Sequence, residues 1–300
     1  MSSANKTAYI IAGPTAVGKT AIAIALAQRL GTEIVSADSR QCYKGMTIGT
    51  AKPSAEELGA VKHYFIDEFS VTTSLTAADY EQLALKYLND ILSRHDTAVV
   101  CGGTGLYIKA LCEGLDEMPE TDPDIAAQTQ ASYKEHGITW LQEALQREDP
   151  EFYAKGEVQN PARILRALSF VRTTGKSIME YRTRTKKERP FRIVKVALEL
   201  PRELLYERIN QRVLNMMEAG LVGEVTALKE YQQLKNLQTV GYAEIFAYLN
   251  GEMTLHDATQ KIMQHTRNYA KRQLTWFKKD EEFTWFRADD TLITEKILAL

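Results

Sequence analysis

The chain has 300 residues, 25% of them charged and 44% hydrophobic, which suits one large globular domain or two unequal ones. A net charge of −2 excludes a global basic field, so any nucleic-acid contact must come from a local patch. The three cysteines, Cys42, Cys101 and Cys112, have neither zinc nor redox spacing, and no stretch is long and apolar enough to span a membrane. The opening Met1-Ser2-Ser3-Ala4-Asn5-Lys6-Thr7 has no apolar core of a leader. A cytoplasmic protein with reduced thiols is expected, making no membrane contact.

The first element is an apolar run, Ala8-Tyr9-Ile10-Ile11-Ala12, read as a strand. Gly13-Pro14-Thr15-Ala16-Val17-Gly18-Lys19-Thr20 follows, and then the helix formers Ala21 to Ala27. Strand, loop and helix carry the G-x-x-x-x-G-K-[ST] spacing of a phosphate-binding loop. The loop amides converge on an anion at the positive end of the helix. Lys19 adds a point charge, and the Thr20 hydroxyl can hold a magnesium ion. The motif predicts a polyphosphate ligand and leaves open both ATP and phosphoryl transfer.

Thr32 to Asp38 reads as a second strand ending in a carboxylate, followed by the polar Ser39-Arg40-Gln41. Ligands of open parallel sheets bind beyond the carboxyl ends of the strands, so Asp38 is placed where Lys19 is placed. It is either a turn residue or a catalytic or metal-linked acid. Tyr43 to Pro53 reads as a loop, Tyr64-Phe65-Ile66-Asp67 as a short strand, and Ala77 to His95 as a helix capped by Thr76. Thr97 to Cys101 is a continuous apolar run, as in a strand buried on both faces. It ends in Gly102-Gly103-Thr104-Gly105-Leu106-Tyr107, a second strand–glycine–helix turn in which Thr104 is a candidate ligand contact.

Residues 113 to 124 hold six acids, no base and two prolines, which marks a boundary. From 125 to 182 only helical patterns occur: Ile125 to His136, Thr139 to Gln146 and Pro161 to Thr174. Between Arg163 and Arg192 there are ten Lys and Arg against two acids, which favours a polyanion partner over a solvated face. Strand character returns at Arg192 to Leu200. The helix Arg202 to Met217 follows, with Arg208 and Arg212 one turn apart, either surface charges or groups closing over the phosphate site. Helices are then expected at Leu221 to Tyr231, up to Leu249 after Val240-Gly241-Tyr242, and from Asp257 to Lys279. The last carries Arg267, Lys271 and Lys278 along the edge of its apolar stripe, with Tyr269 and Trp276 elsewhere. Bases beside aromatics suit a partly single-stranded nucleic acid.

The predicted fold class is therefore α/β: a parallel sheet of the P-loop NTPase type flanked by helices, spanning 1–115 and 190–300, with an all-helical insertion at 116–189. A nucleoside or nucleotide kinase and a non-catalytic RNA-binding ATPase are alternatives. The absence of an acid at the end of strand Thr97 to Cys101 weakens the kinase reading.

Several motifs in this order resemble the bacterial tRNA dimethylallyltransferases, along nearly the whole chain. They are Gly13 to Thr20, Ser36-Ala37-Asp38-Ser39-Arg40-Gln41, Ile48-Gly49-Thr50-Ala51-Lys52-Pro53, the Gly102 to Tyr107 turn, Pro161-Ala162-Arg163 with Arg166-Ala167-Leu168, Val240-Gly241-Tyr242, and Ala270 to Phe277. The resemblance implies transfer of a dimethylallyl group from its diphosphate to N6 of adenosine 37 in the tRNA anticodon stem-loop, by a monomeric enzyme with Mg2+. It implies that residues 13 to 20 grip the donor diphosphate and that Arg212 is a second clamp. Asp38 takes the N6 proton, and Thr104 contacts the substrates. Asp38 to Gln41 and Ala162-Arg163-Ile164-Leu165-Arg166 touch the tRNA, joined by Arg267 and Lys271 of the basic helix. Two positions depart from the family pattern: Ile125 follows Asp124 where relatives often carry arginine, and Ala162 stands where they often carry glutamine. A related alternative is the same transfer onto free adenylate, which needs neither the insertion nor the basic helix.

Overall fold

A computed structural model describes residues 6–183 and 185–300; Arg184 of the basic tract and the first five residues lie outside the described residues. The chain forms two compact units, one comprising residues up to Cys112 together with Glu188–Leu300, the other Glu113–Lys187.

In the larger unit, six strands form one sheet: β1 Thr7–Ala12, β2 Ile34–Ser36, β3 His63–Tyr64, β4 Thr97–Gly102, β5 Arg192–Glu199 and β6 Thr284–Arg287. Their spatial order is β3-β2-β4-β1-β5-β6, and every pairing is parallel. The central strands read as unbroken apolar runs because both of their faces are covered. Ala8, Ile10, Val35, Ala98 and Val100 point to one core, and Tyr9, Ile11, Ile34 and Val99 to the other. Helix α1 (Lys19–Leu30) covers the second core. Helices α3 (Ala77–Arg94) and α4 (Gly105–Glu113) cover the first. The chain thus leaves β1 toward one face and the neighbouring β4 toward the other. That reversal opens a crevice at the carboxyl ends of β1 and β4, where ligands of open α/β sheets bind.

The first core is completed by α9 (Leu221–Ala227) and α10 (Tyr242–Leu249). Helices α8 (Arg202–Glu218) and α11 (Leu255–Phe277) send residues into both cores. The smaller unit packs α5 (Pro123–Glu148), α6 (Pro150–Lys155) and α7 (Pro161–Thr174) around Leu141, Leu145, Phe152, Ile164, Leu168 and Ile178. Gly137, at φ 77° and ψ −170°, breaks α5 into the two pieces expected from the sequence. Arg172 closes this core with a fork on Glu148, at 2.7 and 2.9 Å.

The structure corrects several expectations. The strand expected at 64–67 ends at Tyr64, because Phe65 and Asp67 take left-handed backbone angles, φ 63° and 54°. That turn buries Phe65 completely and brings Asp67 to the ammonium of Lys52. The helix expected over 221–231 stops at Ala227 and continues only as a 3-10 turn, Lys229–Tyr231. Short elements without a full period were missed: α2 (Ala55–Ala60), α6, β6 and α12 (Ile293–Leu298). Among the described residues, no helix is long and apolar enough to cross a membrane.

Candidate active site

The loop after β1 is shaped by two glycines. Gly13, at φ 147°, runs so close to β5 that a Cβ there would lie 2.8 Å from the Leu198 carbonyl oxygen. Gly18, at φ 108°, is the left-handed residue that precedes α1. Lys19 folds back and donates to the Pro14 carbonyl at 2.7 Å. Burial pushes its ammonium down to about 8, with Arg212 adding to the effect and Cys101 and Asp38 opposing it. A lysine desolvated in this way regains its proton readily when an anion arrives.

Asp38 sits two residues beyond β2. Its Oδ1 accepts the backbone N–H of Arg40 at 2.8 Å and of Gln41 at 3.2 Å, an Asx turn that fixes the carboxylate. Among the described residues Oδ2 accepts no hydrogen bond. One oxygen anchors the side chain and the other is open to take a proton. Thr104 lies beside it: Oγ1 accepts the Ser39 N–H at 3.0 Å, and the Thr104 N–H reaches the Ala37 carbonyl at 3.1 Å. Gly102 allows this approach, since a Cβ there would lie 2.3 Å from the Ala37 oxygen. Arg212 of α8 donates to the Thr50 carbonyl at 3.5 Å, and Asp38 supports its charge against burial, which lowers its pKa. One turn earlier, Arg208 donates to the Val17 carbonyl of the phosphate loop at 3.3 Å, so both arginines are at the site.

Sequence reasoning missed one residue of α11 and named two others, Tyr269 and Trp276, without placing them at this crevice. Gln273, buried, accepts the Thr15 N–H at 2.8 Å and donates to the Gly103 carbonyl at 2.9 Å, tying the phosphate loop to the β4 turn. Its signal was present, since it falls inside the Ala270 to Phe277 motif. The Tyr269 phenol is pushed up to about 12 by burial and by nearby Asp38, so it stays neutral. Trp276 lies against Gly105, where a Cβ would come within 2.2 Å of the indole. Tyr269, Gln273 and Trp276 are spaced i, i+4, i+7, one helical face laid on the 103–105 turn.

Other expected site residues are distributed differently. Arg267 is half-buried, donates to Asn210 Oδ1 at 2.6 Å and lies 5.9 Å from the Tyr206 ring, so it joins α11 to α8. Lys271 and Arg272 are exposed, the latter 5.7 Å from the Tyr269 ring. In the smaller unit, Ala162, Arg163 and Arg166 are exposed on the first turns of α7, with Arg163 paired to Glu157. Leu165 is half-buried against the core of that unit. Ile164 is fully buried in it, so its side chain serves packing and not RNA contact.

The oxygens of Thr20 and Asp38 are the hard donors that Mg2+ prefers. The nearby Cys101 thiol is pushed up to about 11 by burial, so it stays protonated and offers no thiolate.

The fold and this crevice define a parallel α/β protein with a G-x-x-x-x-G-K-T loop facing a carboxylate, two arginines and a threonine at one switch point. A family model described as IPP transferase matches residues 41–280. A tRNA dimethylallyltransferase of Cytophaga hutchinsonii is 43% identical over 295 residues, covering 98% of this chain and 96% of that protein. One from Christiangramia forsetii is 44% identical over 280 residues, 93% of each chain. The crystal structure of a tRNA isopentenylpyrophosphate transferase from Bacillus halodurans superposes with a TM-score of 0.71 at 36% identity, covering 98% of this chain and 94% of its own. The chain belongs to the IPP transferase family.

Proposed function

We propose that this protein is a tRNA dimethylallyltransferase, moving the dimethylallyl group of dimethylallyl diphosphate onto N6 of adenosine 37 in the tRNA anticodon loop. The observation that carries the reading is Asp38: its Oδ2 is open, and its charge is felt by Lys19, Arg212 and Tyr269 together. A base placed among the groups that neutralise a diphosphate fits an acceptor amine and an allylic donor.

The donor's carbon–oxygen bond breaks, the N6–carbon bond forms, the N6 proton passes to Asp38 Oδ2, and pyrophosphate leaves. Allylic diphosphates ionise readily once the leaving charge is compensated, which is the part taken by the loop amides, Lys19, Arg212 and Arg208. Thr20 would hold Mg2+, which supplies further charge compensation to the diphosphate. Thr104 and Tyr269 fix the acceptor side. The adenine must leave the anticodon-loop stack to reach this crevice. The Ser39-Arg40-Gln41 turn with Lys271, and separately Ala162, Arg163 and Arg166 of the helical insertion, are read as tRNA contacts. The enzyme is read as a monomer that meets its tRNA substrate in the cytoplasm.

Incubation with labelled dimethylallyl diphosphate against tRNA and AMP, and with labelled ATP against the same acceptors, tests the reading. Label should enter tRNA alone, at adenosine 37. Label in AMP would make this an adenylate isopentenyltransferase, and phosphate transfer from ATP would make it a kinase.

A further inference from the structure

The turn that follows the site residues is built around an internal anion. The Glu224 carboxylate, on α9, accepts three consecutive backbone N–H groups: Thr47 at 2.9 Å, Ile48 at 2.7 Å and Gly49 at 3.0 Å. A fourth bond comes from the Tyr242 hydroxyl at 2.6 Å. Successive amides converging on one point form an anion nest, and here the protein fills the nest with its own side chain. Gly49 lets the Tyr242 ring press on the backbone, since a Cβ there would lie 2.5 Å from the ring. The phenol stays a donor, because burial, with Glu224 beside it, raises its pKa.

The other side of this turn faces the site. The Thr50 and Ala51 carbonyls both accept from Gln41 Nε2, at 3.2 and 3.1 Å, and the Thr50 carbonyl also accepts from Arg212. The Gln41 N–H is in turn one of the two, with that of Arg40, that hold Asp38 Oδ1. The 47–51 turn is therefore a template with its amides on Glu224 and its carbonyls on two site residues. We infer that Glu224 is a positioning residue: by holding the 47–51 turn it sets the Gln41 amide and the Arg212 guanidinium toward the diphosphate and Asp38.

This rests on the function proposed above, so one readout is chosen that does not need prenyl transfer: calorimetric binding of inorganic pyrophosphate. Glu224→Gln turns an NH2 group toward amides that are themselves donors, which displaces the turn. Pyrophosphate Kd should rise about tenfold and the single-turnover prenylation rate should fall at least tenfold, in protein that still melts cooperatively. Tyr242→Phe removes one of four bonds and should shift both quantities the same way by a smaller factor. Gln41→Ala added to Glu224→Gln should cost little more than the larger single effect, because both act through one contact.

A folded Glu224→Gln protein with wild-type pyrophosphate Kd and rate overturns the inference, as does full multiplication of the two effects. If Glu224→Gln does not fold, Tyr242→Phe decides: a lower melting temperature with unchanged Kd and rate means a purely structural role. Wild-type protein whose pyrophosphate binding depends on Glu224, but which transfers no prenyl group to tRNA, refutes the proposed function and leaves the positioning role standing.

Discussion

Replacing Asp38 with asparagine separates what this side chain does for the fold from what it does for the reaction. Asparagine keeps an oxygen at Oδ1, so the bonds from Arg40 and Gln41 N–H, 2.8 and 3.2 Å in the native turn, survive. Only Oδ2 changes, from an open acceptor to an NH2 donor. The variant should melt within about 1 kcal/mol of wild type, whereas Asp38→Ala loses both turn bonds and should be less stable by about 1.5–3 kcal/mol for each charge-assisted bond removed. Both variants lack the base, so both should slow the chemical step by about 10²–10⁴-fold, equivalent to roughly 3–5 kcal/mol of barrier. The assay is single-turnover prenylation of an anticodon stem-loop carrying adenosine 37, with saturating dimethylallyl diphosphate, beside thermal melts of all three proteins. Transfer by Asp38→Asn at the wild-type rate refutes the reasoning, because the proton must then go to water or pyrophosphate. Equal loss of stability in the two variants refutes the structural half.

The depressed Lys19 predicts a pH effect on the donor site. Its ammonium titrates near 8 in the free protein, so pyrophosphate affinity should fall as pH rises from 7 to 9, and binding at pH 8 should take up protons, seen as calorimetric heats that vary with buffer. Heats independent of buffer mean that Lys19 keeps its ordinary pKa. Gln273→Leu cuts the tie between Thr15 and the Gly103 carbonyl and buries both unpaired, so pyrophosphate Kd should rise and stability drop by about 1–3 kcal/mol for each orphaned group; an unshifted melt sinks this. Gly102→Ala should destabilise by about 1–3 kcal/mol, since the new Cβ meets backbone that cannot rotate away. Lys271→Gln with Arg272→Gln should weaken tRNA binding and flatten its salt dependence without changing pyrophosphate Kd. A filter-binding titration that does not move assigns these exposed cations to solvent alone.

The sequence determined the main frame. Hydrophobic runs bounded by glycines marked β1 and β4, and the G-x-x-x-x-G-K-[ST] spacing marked the phosphate loop, because local backbone demands leave local signatures. The 3.6-residue period marked α3, α8 and α11. Asp38, Lys19 and Thr104 were placed together because all three follow strands of one parallel sheet. Elements that depend on neighbours for their stability stayed illegible. β3 pairs only two residues with β2, and its turn is decided by Lys52 reaching Asp67 and by the burial of Phe65. Ile164 and Arg163 are neighbours in sequence, yet only packing shows that one faces the insertion core and the other solvent. Gln273 lies 258 residues from Thr15, and Glu224 lies 175 residues from Gly49. No local pattern encodes such bonds, because a buried polar side chain is satisfied by whichever backbone the fold brings to it. Tertiary structure alone decided that these two residues tie together the loops of the site.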